Sequence, residues 1–306
     1  MQFKMKITVQ QKARLSGHTG SIYALERMQH RFFSGSGDGI VALWDINKTE
    51  SGDAYFRASN GVYSIKHLPD LNKLLIGTGA GSLYVINMDS GQEEKLLQLH
   101  ASHIFSILYN KQYNVILTGG GDGKVTILDS SFALLQIIQV SENKIRCFSP
   151  SVDGSECFIG SSDGKISILS LPSFTIKKQW QAHAEGFGVN CIGLSPDGKY
   201  ILSGSRDARL NIYNASLLEL IESIPAHNYA IYDIAFHSSG KFFATAGRDK
   251  AVKLWDAATF KVIDRMDKDK YDGHNNSVNK ILWMDDYLVT GGDDRSIIIW
   301  ELENCE

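Results

Sequence analysis

"TGGGDGKVT", residues Thr118 to Thr126, carries the glycines and the lysine of a nucleotide-binding loop. Such a loop reads G-x-x-x-x-G-K-[ST]: its glycines let backbone N–H groups close on a phosphate, and the hydroxyl directly after the lysine reaches the metal. Here only three residues separate Gly119 from Gly123, and Val125 follows Lys124, so the Thr126 hydroxyl comes one place too late. The stretch is better explained by its recurrence. "GSGDGIVALWD" starts at Gly35, "GTGAGSLYVIN" at Gly77, "GGGDGKVTILD" at Gly119 and "GSSDGKISILS" at Gly160. "GSRDARLNIYN" from Gly204, "AGRDKAVKLWD" from Ala246 and "GGDDRSIIIWE" from Gly291 complete seven copies.

The aspartate of the phrase falls at Asp38, Ala80, Asp122, Asp163, Asp207, Asp249 and Asp294, with spacings of 42, 42, 41, 44, 42 and 45 residues. A period of about 40–45 residues with four strands per unit is the signature of a β-propeller. Each phrase is a tight turn between two strands, where glycine tolerates positive φ and aspartate bonds its own backbone. Around it, strands such as "SIYALE" (21–26), "KYILSGS" (199–205) and "AVKLWD" (251–256) are joined by short connections, with little helical periodicity. The expected fold is all-β.

Composition narrows the function. With 306 residues, 43% hydrophobic and 21% charged, the chain can bury a large core, and length alone would allow two domains. Lys and Arg number 31 against 34 Asp and Glu, so there is no basic footprint for nucleic acid and no polybasic segment for a membrane. The start, "MQFKMKITVQQKARL", lacks the apolar run of a secretory signal, and no stretch is long enough to span a bilayer. Cys147, Cys157, Cys191 and Cys305 have no C-x-x-C spacing, so buried inert thiols in a reducing, cytoplasmic setting are expected.

With "SGHTGSIYAL" (16–25) and "GSGDGIVALWD" in one unit, and GH and WD recurring in phase, the chain resembles the WD40-repeat family over essentially its whole length. The resemblance implies a seven-bladed propeller of four antiparallel strands per blade, each blade pinned by a buried His, Ser/Thr, Asp and Trp tetrad. Three tetrads are complete: His18, Ser34, Asp38 and Trp44; His227, Thr245, Asp249 and Trp255; His274, Thr290, Asp294 and Trp300. Two are partial, with Leu128 after His100, Thr118 and Asp122, and Tyr213 after His183, Ser203 and Asp207. Unit four keeps Asp163 alone, and unit two has Ala58, Ile76, Ala80 and Ile86. The seventh unit ends after its third strand, "SIIIWELE" (296–303), so by resemblance residues 4–15 supply the outermost strand of blade seven and close the ring. Residues 1–306 are then expected to form one propeller domain.

The same resemblance makes the His/Asp pairs structural, and no catalytic motif remains. His30, His67 and His237 are expected in turns of separate blades, without the shared geometry of a metal site; no cofactor is expected. The family's usual role, holding other proteins on the narrow funnel face, directs attention to two sets of positions. The residue before the turn aspartate reads Gly37, Gly79, Gly121, Ser162, Arg206, Arg248 and Asp293. The residue after the first apolar position of each inner strand reads Tyr23, Tyr63, Phe105, Arg146, Asn190, Tyr232 and Asn279. Tyr23, Tyr63, Phe105, Arg146, Arg206, Tyr232 and Arg248 are therefore the expected partner-binding residues, suited to an extended peptide with an apolar anchor and an acidic or phosphorylated group. Against this, the aromatics could pack the inner strands and the arginines could pair with Asp207 and Asp249. Other readings are a rigid subunit of a larger or self-associating assembly, using the charged insertion "DRMDKDKYDGH" (264–274), and, less favoured, an enzyme or small-ligand site in the funnel. A ubiquitin-ligase receptor would resemble its kind in W-D-x-R, where this chain has Asn47 and Ala258. Outside a complex a monomer is expected.

Overall fold

The computed structural model describes residues 7–303. Residues 4–6 of the expected closing segment, and Cys305, lie outside the described residues. Seven antiparallel sheets of four strands stand side by side. Blade one is Ile22–Met28, Arg31–Ser36, Ile40–Asp45 and Lys48–Arg57, from the axis outward. The inner strands of blades two to seven are Val62–Leu68, Ile104–Asn110, Ile145–Pro150, Val189–Leu194, Ile231–Phe236 and Val278–Met284. Each neighbours the next around a closed ring. In blade seven, Tyr287–Gly292 and Ile297–Glu303 follow the inner strand, and Thr8–Leu15 pairs antiparallel with Ile297–Glu303 as the fourth strand, Val9 opposite Leu302 and Leu15 opposite Ile297.

Strand composition follows radial position. The second and third strands, such as "VILTGG" (Val115–Gly120) and "SLYVIN" (Ser82–Asn87), are packed on both faces by adjacent blades and read as continuous apolar or small-residue runs. Outermost strands such as "EEKLLQ" (Glu93–Gln98) are mostly exposed and polar. Apolar clusters fill the seams between blades. Trp300, Val9 and Leu288 of blade seven pack with Phe242 and Ala244 of blade six, and Trp44, Phe32 and Ile22 of blade one with Leu15, Val289 and Ile297 of blade seven. The charged insertion folds back as a short helix, Lys268–Tyr271, capped by the Asp267 side chain, which accepts from the Lys270 N–H.

The opening stretch shows what its glycines do. A Cβ on Gly119 would lie 2.7 Å from Ile145 Cγ2 of the next blade, so the seam admits no side chain there. Gly123 sits in the turn at φ 77°. Three blades place a side chain at that turn position, Ala208 (φ 67°), Lys250 (φ 68°) and Arg295 (φ 65°). Left-handed backbone costs an L-residue about 1 kcal/mol or more. We therefore expect Lys250→Gly and Arg295→Gly each to stabilise the fold by about 1 kcal/mol, read as a higher thermal midpoint. Unchanged or lower midpoints for both would show that these turns are held by something other than local conformational preference.

Candidate functional site at the mouth of the central pore

One backbone hydrogen bond recurs in every blade and sets the geometry of the pore mouth. The N–H of the residue before the turn aspartate donates to the carbonyl two residues ahead of the inner-strand bulge: Gly37 to Ser21 at 2.8 Å, Gly79 to Gly61 at 2.8 Å, Gly121 to His103 at 2.8 Å and Ser162 to Lys144 at 2.9 Å. Arg206 to Gly188 at 3.3 Å, Arg248 to Ala230 at 2.8 Å and Asp293 to Ser277 at 2.8 Å complete the set. Just beyond this clamp each inner strand slips register by one residue, between Ile22 and Ala24 in blade one and at the equivalent pair in the other six. The skipped residues are Tyr23, Tyr63, Phe105, Arg146, Asn190, Tyr232 and Asn279. A β-bulge leaves its extra residue outside the ladder and re-aims the side chain. All seven line a single cavity of about 310 Å³, together with Lys280 and Asp293.

The cavity is chemically lopsided. Tyr23 and Tyr63 stack with ring centroids 4.6 Å apart and planes 7° from parallel. Phe105 meets Tyr63 edge-on at 5.8 Å, and His103 lies flat on Phe105 at 5.1 Å. The Arg146 guanidinium sits over the free side of the group, 4.4 Å from the Phe105 centroid. Burial pulls Arg146 below its ordinary pKa, and burial, aided by Lys144 and Arg146, pulls His103 down, keeping its imidazole neutral at pH 7. On the opposite side the polar groups are committed. Asn279 donates to Asp293 at 2.7 Å and to the Ile22 carbonyl at 3.1 Å, while Asn190 donates to the Ile231 carbonyl at 2.9 Å. Lys280 lies 3.6 Å from Asp233, a carboxyl that burial pushes up even though it accepts from the Ile281 N–H.

The structure thus brings together Tyr23, Tyr63, Phe105, Arg146 and Tyr232, with Tyr232 set apart from Tyr23 by Asn279 of the intervening blade. Arg206 and Arg248 are not part of the cavity: both are exposed on the turns that frame it, and Arg248 lies 6.0 Å from the Tyr229 ring. Among the described residues neither arginine pairs with the adjacent aspartate, because the Asp207 and Asp249 carboxylates are turned inward to His183 and His227. His67 is on the inner strand Val62–Leu68, not in a turn. His103 is the residue that sequence reasoning missed. Its signal is positional: it stands two before the bulge, in phase with Ser21, Gly61, Lys144, Gly188, Ala230 and Ser277, a third set that presents a ring in this one blade.

Below the mouth, the His, hydroxyl and Asp groups form directional chains. In blade six His227 Nδ1 is 2.8 Å from Asp249 and Nε2 is 2.7 Å from the Thr245 hydroxyl, which also accepts from Trp255 Nε1 at 2.9 Å. The carboxylate only accepts, so in the neutral imidazole Nδ1 carries the proton and Nε2 accepts from the hydroxyl. His18 with Asp38, Ser34 and Trp44, and His274 with Asp294, Thr290 and Trp300, repeat this at 2.7–3.1 Å. His100 and His183 keep the first two links, at 2.8–2.9 Å. In blade three Leu128 is buried in the tryptophan position; in blade five the Tyr213 hydroxyl donates to the Ala182 carbonyl at 2.7 Å. In blade four Ser141 occupies the histidine position and reaches Asp163 at 3.0 Å, and a cleft of about 750 Å³ opens beside it. Blade two fills the site with Ala58, Ile76 and Ile86.

Ser34, Thr118, Ser203, Thr245 and Thr290 are all 0% exposed, so no substrate reaches these hydroxyls. Burial also holds the Cys147 thiol up at about 12 and raises Cys157 and Cys191, which keeps all three protonated. Burial alone would raise Asp38, Asp122, Asp207, Asp249 and Asp294, but hydrogen bonds from the backbone and the imidazoles outweigh it and hold all five below the usual carboxylate range. Such groups contribute stability that is complete above the unfolded pKa near 4 and is lost as pH falls through the lower folded value. His100, lowered mainly by burial, adds a gentler loss below about pH 6.5, where it must charge. We expect melting temperature to fall slightly below about pH 6.5 and steeply below about pH 4. Asp294→Asn should cost about 1–3 kcal/mol at pH 7, with the gap from wild type closing below pH ~4. Circular dichroism melts across a pH series check this, and a gap constant down to strong acid would refute it.

The sequence comparisons agree with this architecture. Residues 9–45, 174–214, 218–256 and 267–301 match the family described as WD domain, G-beta repeat. Residues 9–45 comprise the outer strand of blade seven with the first three strands of blade one, so the sequence repeat straddles two sheets. The first three strands of blades two, three and four fall outside the matches; there Ile86, Leu128 and Leu169 replace the tryptophan. The chain is 24% identical over 303 residues to the 66 kDa stress protein of Physarum polycephalum, covering 95% of this chain and 48% of that protein. It is 24% identical over 178 residues to pre-mRNA-processing factor 19 of Bos taurus (58% and 35%), and 25% identical over 127 residues to the THO complex subunit 6 homolog of Danio rerio (38% and 39%). The matches span about half or less of the length of these relatives. With the repeat pattern in phase with a ring of seven four-stranded blades, the chain belongs to the WD40-repeat family.

Proposed function

We propose that this propeller, residues 1–306 acting as one domain, is a non-enzymatic scaffold that holds a partner protein or peptide on the narrow face around the pore mouth. The observation that carries this reading is the convergence of Tyr23, Tyr63, Phe105, Arg146 and Tyr232 on one open cavity. Aromatic rings and arginine dominate binding hot spots because they bring large rigid area and a multidentate cation at low entropic cost. Arg206 and Arg248 stand outside the cavity as an exposed basic rim, suited to steering an acidic partner rather than anchoring it. A place in complexes is in keeping with the relative named as a THO complex subunit. A cytoplasmic location is part of the proposal and is supported by the unpaired thiols of Cys147, Cys157 and Cys191. Among the described residues no helix is long and apolar enough to cross a membrane.

A second reading, a rigid subunit of a larger assembly, rests on a different surface. The outer strand of blade three, Leu134–Gln139, exposes Leu134, Leu135 and Ile137 by about half, and its only paired edge faces inward. The charged insertion supports this reading less, because Lys270 and Tyr271 are both bonded to Asp264 and Arg14 reaches the backbone of Gly273. Affinity capture from native lysate separates the two. Tyr23→Ala with Phe105→Ala and Arg206→Ala should lose a partner that wild type retains, by tenfold or more if the aromatics are hot spots. Equal capture by a folded triple variant would move the site off this face, and concentration-dependent growth in size-exclusion chromatography would favour assembly through the outer strands.

A further inference from the structure

The Arg146 side chain carries a charge that the described fold does not account for. It emerges from the bulge of blade four, is half-buried and lies over the Phe105 ring. Among the described residues it has no ion pair and no hydrogen bond. Of the other charged groups in the cavity, Lys280 is beside Asp233, while Asp293 accepts from the neutral Asn279 amide and keeps its charge. A desolvated cation without a counter-charge is unfavourable, and arginine is not relieved of it by losing a proton. Stacking explains how the guanidinium is held, because the ring face attracts it, but stacking uses only the plane. Arg146 also lines the cavity, where its fork can match two oxygens at once.

Its neighbours are complementary to an anion. Going round the ring from Arg146, the mouth presents the phenols of Tyr232 on one side and of Tyr63 on the other, both near enough to the guanidinium to interact with its charge. His103 is neutral and Lys144 is exposed behind Phe105, 6.0 Å from its centroid. The carboxylate of Asp293 lines the same cavity from blade seven, three blades round the ring, so an anion in the mouth is favoured on the Arg146 side. The volume of about 310 Å³ equals the space of roughly ten waters. That accommodates an acidic side chain with one apolar neighbour, not a helix about 10–12 Å across.

We propose that the pore mouth is a receptor for a single carboxylate, carried on an acidic residue of an extended partner segment, with Arg146 as its bidentate ligand and the Tyr23, Tyr63 and Phe105 rings as the wall for a neighbouring apolar side chain. This rests on the partner-binding reading above and assigns its chemistry. A carboxylate is preferred to a phosphate because a phosphoryl group carries about −1.5 to −2 at pH 7, whereas the cavity offers one uncompensated cation. Arg206 and Arg248, on the rim, contribute attraction over distance and not the contact.

The test is retention of oriented peptide pools by the purified full chain, each pool degenerate except for one central residue fixed as Glu, Gln or phosphoserine. Wild type should retain the Glu pool at least about tenfold better than the Gln pool, equivalent to roughly 1.4 kcal/mol, with aromatic or aliphatic residues enriched beside the acid. Arg146→Met should abolish the Glu preference, and Arg146→Lys should restore only part of it, since an ammonium neither forks nor stacks in the same way. Arg206→Ala should keep the preference with weaker retention at low salt and a shallower dependence on salt. Arg146→Met should also melt close to or above the wild-type temperature, because it removes a half-buried charge that has no ion pair among the described residues; a large drop would overturn the proposal by making Arg146 a structural residue. Pools retained in a manner that needs Tyr63 but ignores Glu against Gln and Arg146→Met would overturn the carboxylate assignment alone. Preference for phosphoserine over Glu would overturn it in favour of a phosphorylated ligand. Retention indifferent to both Tyr63→Ala and Arg146→Met, or none at all, would overturn the funnel-face reading together with this one.

Discussion

A single backbone hydrogen bond, from the residue before each turn to the carbonyl ahead of each inner strand, is the constraint on which the pore mouth depends. It is present in all seven blades at 2.8–3.3 Å, including the two that have lost the histidine. The side-chain tetrad varies around it: complete in blades one, six and seven, shortened in three and five, reduced to Ser141 and Asp163 in four, and replaced by apolar packing in two. The backbone clamp therefore sets the turn against the inner strand, and the tetrad adds rigidity beneath it. This order of dependence follows from chemistry. A backbone N–H and carbonyl are present whatever the side chains, whereas a buried hydroxyl, imidazole and carboxylate stabilise only when all their partners are in place.

The clamp also explains why the bulge recurs and what it makes available. Holding the chain two residues before the bulge forces the ladder to resume one residue later, so a side chain that would have entered the seam is turned into the pore. Identity at that position is then free of the packing demands that fix its neighbours. Ile22, Val62, Ile104, Ile145, Val189, Ile231 and Val278, immediately before it, are all fully buried and aliphatic. The bulge residues themselves range over tyrosine, phenylalanine, arginine and asparagine. A position with one backbone role and no packing role is where a fold of repeated parts can become asymmetric.

Much of this was legible in the sequence for the same reason. Turn chemistry repeats with the fold, so the Gly/Asp phrase disclosed period, blade number and the phase of every strand, and a missing fourth strand at one end with an unassigned segment at the other disclosed the closure. Phase does not disclose radius. Arg206 and Arg248 share their turn position with Asp293, and all three lie on the face of the bulge residues, yet only the asparagine-bound Asp293 lines the cavity. His103 was hidden because six blades carry small or aliphatic-stemmed residues there, so no pattern marks it. The fate of Asp207 and Asp249 could not be read either: whether a carboxylate turns to the arginine beside it or to an imidazole more than twenty residues away is decided by the turn's backbone, which points it inward.

Three of the four blades that have lost tetrad groups supply the contiguous stack of rings and guanidinium at the mouth. Tyr63, Phe105 and Arg146 come from blades two, three and four, which share no tryptophan at the third-strand position. Blades six, seven and one, where the tetrads are complete, supply Tyr232, Asn279 and Tyr23, and blade five, shortened like blade three, supplies Asn190. Because the ring is closed by the pairing of Thr8–Leu15 with Ile297–Glu303, strain in one sector is shared by neighbours on both sides, and no sheet at a free end can yield to it. The Arg146 guanidinium is thus presented on a closed ring, over the Phe105 ring at 4.4 Å, before any partner arrives. Association then requires little reordering of the receptor, which is where a rigid platform gains over a flexible loop of the same composition.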